Sequence, residues 1–239
     1  MCPVSSIAQA QSAWEFRVTP YLWFAGIKGD VSTLPGVPVS PIEVTPSDAL
    51  KDTESSFMGL FEAKKGKHGI LLDTLYSDVR TDDVLIPQID LTQRATSKST
   101  VLTAAYVYEL SSNDQAEVNV FAGARYWKVD TQLEFGGGLG ILAGRSIRNA
   151  ESWEDPLIGI SGRAPIGESK FYVAGVLGLG GFGVGSDRFY DVSASVGYQW
   201  NKSIGTSLGY RRFDVTYEEG TFFYDVAQEG WLLGLTWSF

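Results

Sequence analysis

The chain has 239 residues, 44% of them hydrophobic and 20% charged, with a mean hydropathy of -0.02 and a formal net charge of -9. This balance excludes a disordered chain and a bundle of membrane helices, and the negative charge argues against a nucleic-acid partner. Glycine (27 residues) and aromatics (7 Trp, 11 Tyr, 13 Phe) are abundant, as expected where strands bend around a barrel and aromatic girdles meet lipid headgroups.

Residues 1–10 end in Ala8-Gln9-Ala10, the small-x-small pattern of a signal-peptidase site. They read as the remnant of an export signal, and the mature barrel domain is expected over residues 11–239. Cys2 is the single cysteine, so no intramolecular disulfide forms. The longest uncharged run, Phe171 to Ser186, is shorter than the ~20 residues a membrane helix needs. Membrane entry would therefore require a closed barrel.

The first strand is expected from Trp14 to Gly29, with Trp14, Phe16, Val18, Leu22 and Phe24 on one face and Glu15, Arg17, Thr19, Tyr21 and Trp23 on the other. Pro20 fits only where ladder bonding is incomplete. Residues 30–53 read as a long loop with one helical turn over Ser47 to Lys51, capped by Ser47. Strands follow over residues 54–64 and 70–80, then a loop to Ser97. Further strands are expected at 100–110 and 117–127. In the latter, Val118, Val120, Ala122, Ala124 and Tyr126 alternate with Glu117, Asn119, Phe121, Gly123, Arg125 and Trp127.

After a glycine-rich loop around residues 136–144, a strand over 153–164 sets Asp155 and Arg163 opposite Ile158 and Ile160. Strands over 170–182 and about 188–200 follow, the latter with Asp191 on its polar face, and another over 204–215. Residues 216–226 read as the final loop. The last strand ends in Trp231, Leu233, Leu235, Trp237 and Phe239 at alternate positions, a period of two with one large apolar face. A terminal aromatic after alternating apolar residues resembles the insertion signal of Gram-negative outer-membrane barrels.

Ten strands result, with eight and twelve as alternatives. Short turns near Lys67, Asn113, Gly167 and Lys202 fall at one end, and the opposite connections read as long. That asymmetry is usual for transmembrane barrels with periplasmic turns and external loops. The expected fold is all-β, a transmembrane antiparallel up-and-down barrel.

Several stretches resemble together a family of Gram-negative outer-membrane β-barrel proteins, most without an agreed activity: TPYLWFAGIKGDV (Thr19 to Val31), FMGLFEAKKGKHGILLD (Phe57 to Asp73), GARYW (Gly123 to Trp127), GGFGVGSD (Gly180 to Asp187) and GYRRFDVTYEEG (Gly209 to Gly220). The resemblance covers nearly all of the mature chain. It implies a cell outer-membrane location and gives no catalytic or ligand residues.

Gly178 to Gly183 matches GxGxxG, but the residues around it alternate as strands, so a hairpin is expected and not a dinucleotide site. His68 is the single histidine and falls in a turn among Lys64, Lys65 and Lys67. No catalytic residues, cofactor or metal are assigned. Inward charges Arg17, Arg125, Asp155, Arg163, Asp191 and Arg211 are expected to form a lumen network that survives by pairing. Acidic residues on the loop side, Asp30, Glu43, Asp48, Asp52 and Glu54 with Asp214, Glu218, Glu219 and Asp225, suggest a rim that favours cations.

The expected role is structural or surface-exposed and non-enzymatic, with narrow passive passage of small cationic solutes as a subsidiary reading. The alternatives are a dedicated small-solute channel and, second, a lipid-modifying enzyme. Expected partners are membrane lipid, lipopolysaccharide and the barrel-assembly machinery, with a monomer whose termini are both periplasmic.

Overall fold

A computed structural model describes residues 13–86, 91–113, 116–137 and 144–239; the expected export signal lies outside them. The elements are β1 (Trp14–Ser32), β2 (Ser40–Val44), α1 (Pro46–Asp52), β3 (Thr53–Lys65), β4 (His68–Ile86), β5 (Leu91–Ser112), β6 (Glu117–Gly136), β7 (Ser146–Pro165), β8 (Phe171–Gly180), β9 (Arg188–Gln199), β10 (Ile204–Glu219) and β11 (Phe222–Ser238). All strands but β2 form a closed antiparallel barrel of ten, in which each strand pairs with its neighbour in sequence and β11 returns to β1. Closure removes the unpaired edges that an open sheet would present to lipid.

The pleat gives the wall two unlike faces. Trp231, Leu233, Leu235 and Trp237 are 46–59% exposed on the outside, in a belt with Leu22, Leu72, Leu102, Ile158, Val196 and Leu208. Inside, Arg125 and Asp191 are no more than 5% exposed. An apolar exterior around a charged interior is the transmembrane arrangement and the reverse of a water-soluble sandwich.

The strands are longer than the alternating sequence signal. Residues 81–86 and 91–97, within the stretch expected as a loop, are the tall ends of β4 and β5, with Arg80 opposite Thr96 and Thr81 opposite Ala95. Residues 216–226 likewise continue β10 and β11, with Thr216 opposite Asp225, around a tight turn between Glu219 and Phe222. Beyond the lipid belt both faces meet water, so polar residues occupy both and the apolar alternation fades while the ladder persists. Cross-strand ion pairs brace these ends: Arg94 to Asp82 at 2.6 Å and Arg148 to Asp130 at 2.5 Å. The asymmetry between the barrel's ends is therefore mostly one of strand height. β8 and β9 are short, and the rim drops between β7 and β10.

The long connection after β1 is structured. Its first part folds over the mouth: the Ser32 hydroxyl donates to the Val37 carbonyl at 2.7 Å, and Asn149 of β7 donates to the Thr33 carbonyl at 3.1 Å. Residues 40–44 then add β2 to the upper edge of β1, and α1 follows. The cap of α1 is Thr45, not Ser47. Thr45 Oγ1 accepts from the Asp48 amide at 3.3 Å and Pro46 opens the helix, because a proline at the first helical position gives up no needed donor.

The Thr45 hydroxyl and then the Lys51 ammonium hold the Asp48 carboxyl below the usual carboxylate range. What this ionisation contributes is present above the ordinary range and is lost as pH falls through the lowered value. Thr45→Ala should weaken α1 by about 1 kcal/mol, roughly fivefold faster amide exchange over residues 46–52. Unchanged exchange would mean that the cap contributes nothing.

One length of wall lacks its ladder. β1 pairs with β3 only from Trp14 opposite Lys65 to Pro20 opposite Gly59, and with β2 only from Ile27 to Val31. Residues 21–26 thus have a partner on the β11 side and none on the β3 side. Pro20, which has no amide hydrogen, marks where the two strands part.

Candidate functional site

Three of the six charges expected in the lumen meet at mid-barrel. Asp191 on β9 is the hub: Arg211 of β10 donates to both its oxygens, at 2.9 and 2.7 Å, and Arg125 of β6 donates to Oδ2 at 2.9 Å. Arg211 also reaches Asp73 of β4 at 3.2 Å and the Tyr21 hydroxyl at 3.1 Å, and Tyr21 donates to Asp73 at 2.8 Å. Arg125 Nε donates to Thr103 at 2.8 Å. Two guanidiniums and two carboxylates balance, so this belt carries no net charge.

The other three charges lie elsewhere. Arg17 pairs with Glu62 at 3.2 Å toward the turn end, where Lys64 bridges Glu117 at 2.8 Å and also contacts Glu109. Lys64 thus points into the lumen and does not belong to the neighbouring turn. Arg163 donates to Gln199 at 2.7 Å and lies 3.6 Å from the Tyr172 ring centre. Asp155, only 1% exposed, joins no cation among the described residues; it accepts from the Ser186 amide at 2.6 Å and hydroxyl at 2.7 Å. Trp153 Nε1 donates to the same hydroxyl at 2.7 Å. Asp155 is thus the anchor that pins the β8–β9 turn, and Gly181 to Gly183 belong to that turn, with no helix after them.

Above the belt lies an aromatic layer that single-strand patterns do not reveal. Trp127 stacks on Phe213 at 4.8 Å and on Trp153 at 5.5 Å, and Trp153 stacks on Tyr217 at 4.0 Å. Phe189 meets Trp127 edge-on at 5.8 Å. The Arg125 guanidinium lies 4.8 Å from the Phe189 ring centre and 4.9 Å from that of Phe213. Its Nη1 has no hydrogen-bond partner among the described residues, and the ring faces supply cation–π attraction in its place.

Belt and aromatic layer divide the lumen. On the turn side a cavity of about 250 Å³ is lined by belt residues together with Arg17, Glu62, Glu117 and Arg163. On the loop side one of about 410 Å³ is lined mainly by apolar groups, including Trp23, Met58, Leu75, Val101, Val129 and Phe213. The two share no lining residue.

His68 begins β4 and pairs with Tyr108, and its Nδ1 hydrogen-bonds to the Tyr106 hydroxyl. It sits on the outer face near the turn end, beside two tyrosines, and not free in the turn. Among the described residues no group of three His, Cys, Asp or Glu could hold a metal ion. Much of the acidic rim is paired: Glu43 with Lys28, Asp48 with Lys51, Glu54 with Arg80 and Asp214 with Arg212.

Comparison with protein-family models and with curated proteins gives no match to the sequence. Solved structures do match. The outer membrane protease OmpT from Escherichia coli aligns over 95% of this chain and 97% of that chain at 11% identity, with a TM-score of 0.60. The translocator domain of the autotransporter NalP from Neisseria meningitidis aligns over 97% and 90% at 9% identity, with a TM-score of 0.48. The chain has the fold of the bacterial outer-membrane β-barrels. At such identity the likeness carries the fold alone.

Proposed function

We propose that the chain is a monomeric, non-enzymatic integral protein of the outer membrane, with its turn end and both termini in the periplasm and its lumen closed along the axis. The division of the lumen carries this reading: the belt and the aromatic layer leave two cavities with no lining residue in common. The belt's neutrality offers no net field to draw cations inward, so passive passage of small cations is the weaker reading. In this view Trp231, Leu233, Leu235, Trp237 and Phe239 form the signal read by the assembly machinery, and the paired charges of the tall rim face lipopolysaccharide.

Purified protein in a planar bilayer should show no reproducible single-channel steps. Steps with cation preference would overturn the closed lumen in favour of a dedicated channel.

A further inference from the structure

The loop-side cavity borders the length of wall where β1 has no ladder partner on the β3 side. Leu22 and Phe24, on the outer face of β1, line it together with Trp23 and Ala25 on the inner face. Across the gap the same space is bordered by Pro46, Ala49 and Leu50 of α1 and by Thr53, Ser56 and Met58 of β3. Residues 21–26 of β1 have no ladder partner on that side, where β1 has parted from β3, and α1 packs against β1 in its place.

The gap lies at the height of the lipid belt. Leu22 stands opposite Leu233 and Phe24 opposite Trp231, both lipid-facing, whereas the next outward pair up, Gly26 and Glu229, is already in the charged rim with Arg212. Leu50 of α1, which also lines the cavity, is 60% exposed at its lip. A lateral exit past α1, between β1 and β3, would therefore lie in the loop-end half of the bilayer.

Its chemistry is selective. No carboxylate lines it, and aliphatic and aromatic groups alternate with hydroxyls such as Ser56, Ser77 and Ser99. The indole N–H groups of two lining residues, Trp23 (7% exposed) and Trp127 (3% exposed), have no hydrogen-bond partner among the described residues. A buried donor without an acceptor is destabilising, and an acceptor on a bound molecule would remove that cost. At about 410 Å³ the space falls within the range of small-molecule sites, on the order of 300–1,000 Å³.

We infer that this cavity takes up an acyl chain with its ester carbonyl, entering laterally between β1 and β3 from the bilayer, with the carbonyl accepting from the Trp23 and Trp127 indoles. The inference rests on the barrel spanning a membrane but not on its being closed to ions. The same chemistry is offered by a free single-chain ester and by the chain of a membrane phospholipid.

Bromine quenches tryptophan on contact, so two probes separate the sources: methyl dibromostearate, and a phospholipid carrying dibrominated chains, each in lipid nanodiscs holding the full barrel. Quenching is compared between the wild type and Ser99→Phe, which fills the cavity and keeps every tryptophan. The belt residues Trp231 and Trp237 should be quenched in both proteins; if they are not, the membrane reading itself fails. The wild type should show an additional, saturable quenched fraction that Ser99→Phe loses. Loss with the ester alone assigns a free single-chain occupant, and loss with the phospholipid assigns a lipid chain. Should Ser99→Phe not fold, Trp127→Phe deletes one reporting indole, and the additional fraction should fall by about half. Equal quenching of wild type and variants by both probes would overturn the inference.

Discussion

Replacing Asp191 by alanine should destabilise the barrel by about 3–5 kcal/mol, the usual consequence of breaking a buried ion pair from one side. The side chain accepts from two guanidiniums at 2.7–2.9 Å, and its removal leaves Arg125 with Thr103 and the ring faces of Phe189 and Phe213, and Arg211 with the longer contacts to Asp73 and Tyr21. Urea unfolding of the protein refolded into lipid vesicles measures the loss. Removing the cation as well should relieve part of it: Arg125→Met should cost less in the Asp191→Ala background than in the wild type, because the charge being deleted is already unpaired. A loss below about 1 kcal/mol for Asp191→Ala would show that water replaces the carboxylate, and that the belt is not a dry seal.

The second large effect is expected at Trp127. Its ring is held between Phe213 and Trp153 and lies under Phe189, so Trp127→Ala leaves a cavity in a layer that cannot collapse while the wall stays fixed. The expected cost is about 3–5 kcal/mol in the same titration. Trp127→Phe keeps most of the contact and should cost much less, on the order of 1 kcal/mol. Equal losses for the two would show that a phenyl ring recovers none of the indole's packing.

The sidedness of the wall was legible because lipid imposes a rule of period two. Val118, Val120, Ala122 and Ala124 against Arg125 and Trp127 could be assigned to opposite faces from spacing alone, as could Trp231 to Phe239 and Asp191. Outside the lipid belt that rule lapses, and the upper parts of β4, β5, β10 and β11 read as loops although Thr216 to Glu219 and Phe222 to Val226 are regular ladder.

Side-chain partnerships were less legible still. Asp155 was grouped with the lumen cations because it faces inward, and Arg125 is indeed its cross-strand neighbour. Its oxygens are instead taken by Ser186, 31 residues away in a turn that folds inward. The aromatic layer draws on β6, β7, β9 and β10 at once, and no single strand carries its signature. The break between β1 and β3 had one sequence marker, Pro20.

The unequal heights of the strands have a consequence for what the cell displays. With its loops outward, the barrel raises β4 to β7 like a stockade on one flank and leaves β8 and β9 as a low doorstep on the other, its tip carrying Phe182 and Val184, 59% and 73% exposed. In the proposed orientation, sugar chains of neighbouring lipopolysaccharide would lie across the doorstep but not over the stockade. The molecule would then show the outside world one side of itself, and sequence change on that side would be visible to whatever approaches from outside, while change on the other would stay screened.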